Sequence, residues 1–333
     1  MANPIEIPGF VDLQVNGYAG VDFLVPETSV DDILDAARIL QEKGTAGFLL
    51  TVTTNSVTNI ETNVRHARQA LDRQGADGPI LGIHLEGPFI SPEYGYRGAH
   101  MEKYIRSPDI EWFRRLQDIA QGAIRLVTLA PELPGSLAFI RQVTPEVVVA
   151  MGHANPSFQQ LQDAIEAGLT LVTHFGNGVR PDIPRHDNIL VSTLASPELD
   201  ICFIADGQHL PEPFLRMLLS RIPLEHLAVV SDTVMYAGME PGVYHREDTE
   251  IRLRPDGRLC LANDERLLYG SSATMCQCMD HLASLDTLSP RQLVQIGLET
   301  PLRILGITPR EFLKRKPRLY YDSRQKRFAP MPR

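Results

Sequence analysis

Eight short apolar runs, each separated from the next by an amphipathic segment, constrain this chain more than any other feature. They are Gly9 to Asn16, Thr45 to Val52, Pro79 to Glu86, Ile124 to Leu129, Val147 to His153, Leu169 to His174, Asp200 to Ala205 and Leu227 to Asp232. Runs of this length, bounded by turn residues, predict buried strands. The segments between them carry helical spacing: Ile33, Leu34, Ala37 and Leu40 fall on one face, as do Ile60, Val64, Ala67 and Leu71. Leu161, Ala164 and Ile165 repeat the pattern, and helices are also expected over Asp109 to Ile119 and Ser136 to Arg141. Such alternation implies a parallel sheet wrapped by helices, α/β in class. Eight units favour a closed (β/α)8 TIM-type barrel, and no Gly-x-Gly-x-x-Gly follows the first strand, which disfavours a dinucleotide-binding open sheet.

The expected organisation is a barrel over residues 1–309 and a tail over residues 310–333. Between Tyr236 and Tyr269 the character changes: EIRLRPDGRLCLA alternates around Pro255-Asp256-Gly257, a hairpin signature. That predicts a β excursion over 236–269, after strand eight and before a helix capped by Ser271 or Ser272. Helices near Pro290 to Leu298 and Thr300 to Leu305 complete the core, and RLYYDSRQKRFAP in the basic tail suits one more hairpin.

Barrel chemistry is placed where strands end. Strand three ends in Glu86 before Gly87-Pro88, strands five and six end in His153 and His174, and strand eight in Ser231-Asp232. Glu86, His153 and His174 supply one oxygen and two nitrogens, a donor set suited to Zn2+ or Fe2+. Asp232, a separate carboxylate, can move the proton of an attacking water. His100, Asn177, Gly178, Arg180, Arg185 and His209 crowd the same rim, while His84 is expected to pack behind it. His66, His226, His245 and His281 are read as structural or exposed.

The net charge of −9 over 333 residues argues against nucleic acid or an anionic membrane as partner. No apolar run reaches 18 residues, and the start, MANPIEIPGF, has no basic or apolar leader region, so a cytoplasmic location is expected. Cys202, Cys260, Cys276 and Cys278 lack paired metal spacing and read as reduced structural thiols.

The motifs PGFVDLQVNG, HLEGPFISPE with RGAH, GHANPS, THFGNGV, IADGQH, VSDT with AG, and YGSSATM occur in this order. From Pro8 to Leu305 the chain resembles the N-acetylglucosamine-6-phosphate deacetylases, a branch of the amidohydrolase superfamily. The resemblance implies one divalent metal ion held by Glu86, His153 and His174, with Asp232 as general acid/base and His100 polarising the acetyl carbonyl. It implies substrate contacts from Ala99, His209, Tyr269 and Gly270. Asn177 and Gly178 match the backbone phosphate-binding pair, and Arg185 the phosphate-binding arginine lent across a homodimer. Gln14 and Asn16 stand where many superfamily members carry a His-x-His, which is why a single metal is expected.

Four departures mark the chain. Gly178-Val179 replaces Ala-Met, and His-Asp-Asn follows Arg185 in place of Glu-Pro-Gly. The loop around Tyr94-Gly95-Tyr96 is two residues longer, and the family's β-sandwich domain is expected to be missing or vestigial. The implied reaction is hydrolytic deacetylation of an N-acetyl amino sugar, first of all N-acetylglucosamine-6-phosphate. The alternatives are another N-acetyl sugar or amide, such as N-acetylgalactosamine-6-phosphate or an unphosphorylated sugar, and a catalytically inactive barrel used for binding.

Overall fold

The computed structural model describes residues 5–246, 249–315 and 318–331. Residues 1–4 of the expected barrel, 247–248 of the expected excursion, and 316–317 and 332–333 of the tail lie outside them.

Eight parallel strands form one sheet: Phe10–Val15, Thr45–Thr53, Ile80–Glu86, Ile124–Leu129, Val148–Met151, Leu171–Val172, Asp200–Ile204 and Leu227–Val230. They are strands one to eight here. The sheet closes where Val15 bridges Thr233, with the Asn16 amide donating to the Thr233 carbonyl at 2.8 Å. Helices Val30–Glu42, Val57–Arg73, Ile110–Ala120, Ser136–Val143, Phe158–Ala167, Ile189–Leu194, Glu212–Arg221 and Met275–Ser284 follow the strands in turn. The apolar stripes behave as expected: Ile33, Ala37 and Leu40, then Ile60, Val64 and Ala67, are buried, while Leu34, Leu71 and Ile165 are half-buried at the stripe edges. Strand interiors such as Phe48, Ile83, Val127 and Phe203 are wholly buried, because helices cover one face and the barrel core the other.

Three local expectations need correction. Strands five and six stop before His153 and His174, which turn into the left-handed region at φ 51° and 31°; Asp232 does the same at φ 52°. A left-handed residue cannot continue a ladder, and it costs a non-glycine residue about 1–2 kcal/mol. The first helix after the excursion, Met275–Ser284, is capped by Thr274, not by Ser271 or Ser272. Ser271 is held instead against strand eight, its amide donating to the Asp232 carbonyl at 3.0 Å, and the Ser272 hydroxyl donates to the Gly257 carbonyl. Finally, the excursion has three strands, Gly242–Arg246, Thr249–Leu253 and Leu259–Leu261. The first was not anticipated, because it lies mostly exposed at a sheet edge and carries no apolar alternation.

The tail hairpin pairs Leu319–Asp322 with Arg327–Pro330, and Glu6–Ile7 adds a third strand. The two ends of the described chain therefore share one small sheet. Phe328 inserts against Phe10 edge-on at 4.8 Å, joining that sheet to the barrel core.

Candidate active site

The rim residues converge although they come from four strand ends. Glu86 Oε1 lies 2.9 Å from His174 Nε2 and 3.4 Å from His153 Nε2, and the two imidazole nitrogens are 3.1 Å apart. A tetrahedral shell with bonds of about 2.0–2.1 Å needs donor atoms about 3.3 Å apart. These three atoms meet that spacing. His100 Nε2 stands 3.3 Å from His153 Nε2, and Glu86, His100 and His153 offer ligand atoms within 4.8 Å of one another. His100 thus adjoins the cluster through His153.

The electrostatics keep the carboxylate charged at this point. Burial alone would raise the Glu86 pKa, but hydrogen bonds and charge from His153 and His174 hold it well below the carboxylate range. Burial opposes charging His174, yet the Glu86 hydrogen bond and charge lift its pKa above the ordinary histidine value. A buried carboxylate facing imidazole nitrogens is a fit donor set for a divalent ion.

His153 is oriented from behind, whereas His174 Nδ1 is buried with no hydrogen-bond partner among the described residues. His153 Nδ1 lies 2.9 Å from the Tyr96 carbonyl, so an N–H there directs the Nε2 lone pair at the cluster. Gly98 and Gly178 allow this close approach: a Cβ at either would fall 3.0 Å from His153 Cε1 or 2.7 Å from its Nδ1. Gln14 donates through Nε2 to both Glu86 Oε1 (2.8 Å) and Asp232 Oδ1 (3.0 Å), and its carbonyl accepts from Thr173. Asn16 Nδ2 adds a 2.7 Å bond to the same Asp232 oxygen. The two amides therefore act as donors that space two carboxylates. Their polarity was legible in the sequence, but their bridging role required the closed barrel.

Burial, and then the Glu86 charge, push the Asp232 pKa up to about 6. Burial pushes His100 down to about 3, with the His153 charge adding to it, so its imidazole is neutral. His84 is wholly buried between Leu13 O and Thr128 Oγ1, the packing role expected of it.

The remaining expected site residues divide. His209 Nδ1 is held at 2.8 Å by Asp206 Oδ2, which also accepts from Ser271 Oγ. The Gly270 turn packs on strand eight, where a Cβ would fall 2.5 Å from Val234 and 3.3 Å from the Asp232 carbonyl. Tyr269 sits beside it, its ring 6.2 Å from Tyr236. Ala99 is exposed next to His100. The Asn177 amide donates to the His174 carbonyl at 2.9 Å, so of the expected backbone pair only the Gly178 N–H makes no hydrogen bond among the described residues. Arg185 is exposed, with no hydrogen bond or ion pair among the described residues.

Asp206 and Asp12 were missed. Asp206 sits three residues before His209, a spacing that could have flagged it. Asp12 is a charge in an apolar strand; 1% exposed, it accepts from the Ser231 amide and hydroxyl across 219 positions. It anchors the residue preceding Asp232. Burial, only partly offset by the Ser231 bonds, raises its pKa to about 7, against 3.8 for an unperturbed Asp. The native state therefore binds this proton more tightly than the unfolded chain. Its contribution to stability is complete below about pH 4 and is lost as pH rises through about 7. Asp12→Asn cannot ionise, so urea denaturation at about pH 5 and pH 8 should show the variant gaining on the parent at the higher pH. An equal difference at both values would show that Asp12 does not titrate in this range.

Fold and rim together define the class: a (β/α)8 barrel enzyme of the amidohydrolase type. No family model matches the sequence. The chain is 31% identical over 314 residues to N-acetylglucosamine-6-phosphate deacetylase of Bacillus subtilis, covering 93% of this chain and 78% of that protein. It is 28% identical over 302 residues to N-acetylgalactosamine-6-phosphate deacetylase of Escherichia coli O157:H7, covering 90% and 78%. The crystal structure of N-acetyl-D-glucosamine-6-phosphate deacetylase from Mycobacterium smegmatis superposes with a TM-score of 0.86 at 28% identity, over 99% of this chain and 86% of that one. An aspartate-to-alanine variant of the mycobacterial enzyme, in complex with N-acetyl-D-glucosamine-6-phosphate, gives 0.84. The chain belongs to the N-acetylglucosamine-6-phosphate deacetylase family.

Proposed function

We propose that the protein hydrolyses the acetamide of N-acetylglucosamine-6-phosphate, releasing acetate and glucosamine-6-phosphate. The observation that carries this is the approach of Glu86, His153 and His174 to within 2.9–3.4 Å, with Asp232 tied to Glu86 through Gln14. Glu86, His153 and His174 are the residues that would hold a divalent ion, zinc by their donor set, with Fe2+ accepting the same ligands. Such an ion supplies Lewis acidity toward the acetyl carbonyl and activates water.

The chain's own groups do the rest. Asp232, fixed at Oδ1 by Gln14 and Asn16, accepts a proton from the attacking water and passes it to the leaving nitrogen as the C–N bond breaks. His100, neutral because it is buried, donates an N–H to the developing oxyanion. His209, oriented by Asp206, contacts the sugar together with Ala99, Tyr269 and Gly270. Gly178, Asn177 and Arg185 complete the assignment around the phosphate. Arg185 has no partner in its own chain among the described residues, and in a homodimer it would serve the neighbouring copy. The four cysteines are free, which suits a reducing cytoplasm, and no described helix is long and apolar enough to cross a membrane.

The test is acetate release from N-acetylglucosamine-6-phosphate, N-acetylgalactosamine-6-phosphate and unphosphorylated N-acetylglucosamine, before and after chelation. Turnover of the first, lost with the metal and restored by zinc, is the expected result. Preference for the galactosamine epimer is the second reading, favoured by the Escherichia coli relative. No release from any substrate by metal-loaded protein would remove the proposal.

A further inference from the structure

We propose that Arg180, and not only Arg185, recognises the substrate's phosphate, and does so within its own chain. The inference rests on the sugar-phosphate reading above and concerns how the anionic end is held.

Arg180 lies in the loop after strand six, two residues beyond Gly178, and is exposed. It makes no hydrogen bond or ion pair among the described residues. Two arginines of the loop after strand three differ: Arg97 pairs with Glu102, and Arg106 with Asp109. Arg180 is nonetheless held in place. Gly95, at φ +92°, comes so close that a Cβ there would fall 2.5 Å from Arg180 Cγ and 3.0 Å from its Cα. The same loop supplies the Tyr96 carbonyl to His153 and lays Gly98 on the His153 ring. One glycine-lined strip therefore touches Arg180 at one end and His153 at the other.

The backbone beside it is built for an anion. Gly178 is left-handed at φ +62°, and the amides of Gly178, Val179 and Arg180 make no hydrogen bond among the described residues, whereas the Asn177 amide does. Successive free N–H groups around a left-handed residue form a concavity for oxyanions, and a guanidinium at its edge adds a forked, charged donor. Arg185 has no comparable anchoring: no described contact fixes it against the rim. A phosphate held by Arg180 would be held by the same chain that carries the metal site, because Gly95 and Gly98 of one loop meet Arg180 and His153.

The experiment uses the full, metal-loaded chain and its Arg180→Gln, Arg180→Lys and Arg185→Gln variants. KM and kcat are measured for N-acetylglucosamine-6-phosphate, and inorganic phosphate binding is followed by 31P line broadening independently of turnover. Losing charged hydrogen bonds should raise KM and weaken phosphate binding in Arg180→Gln by about ten- to a hundredfold, with a much smaller change in kcat. Arg180→Lys should fall between. Unchanged phosphate binding in Arg180→Gln overturns the inference, as does a KM effect confined to Arg185→Gln. A parent protein that binds phosphate but releases no acetate would overturn the proposed reaction instead, while the phosphate titration still decides Arg180.

Discussion

Asp232→Asn lowers kcat by about three orders of magnitude while one metal ion per chain remains. Asparagine keeps the oxygen that accepts from Gln14 and Asn16, so both anchoring bonds survive the change. What disappears is the ability to take a proton. Asp232 ligates nothing in the proposed arrangement, and its left-handed backbone at φ 52° is a conformation that asparagine adopts more readily than most residues. Folding and metal content should therefore be unaffected. Acetate release and elemental analysis on the same preparation decide the matter, and parental kcat in the variant would take Asp232 out of the chemistry.

Glu86→Gln should empty the site. The carboxylate is 3% exposed and stands among His153, His174 and the Gln14 amide, all of which need an acceptor or a shared cation opposite them. A glutamine there can turn its oxygen toward only some of these partners, so its NH2 group must face nitrogen donors or the ion itself. The negative charge that lifts the His174 pKa is lost as well. Metal content below about 0.1 per chain and a loss of kcat of at least about a thousandfold are expected, since both metal and proton chemistry depend on this centre. Circular dichroism checks that the barrel persists. A variant retaining one ion per chain would show that other groups, His100 among them, suffice to hold it.

The barrel order and the rim residues Glu86, His153, His174 and Asp232 are legible in the sequence for a local reason. Strand length, helical periodicity and turn chemistry are short-range properties, and in an alternating α/β chain they also determine which residues reach the rim. The resemblance, carried by motifs such as HLEGPFISPE and IADGQH, added roles but no geometry. Several functional groups could not be read in this way. Asp12 meets Ser231 across 219 positions, and Gln14 reaches both Glu86 and Asp232, the latter across 218. The strand Gly242–Arg246, polar and at an edge, was equally invisible.

By itself the sequence determined the class of fold and the donor atoms available for catalysis, because both follow from residue type and local spacing. Tertiary structure alone decided which of those atoms meet, which amides bridge the carboxylates, and that Glu6–Ile7 pairs with Leu319–Asp322. Those outcomes depend on closing the sheet on itself, a long-range event whose contacts have no counterpart in any short stretch of chain.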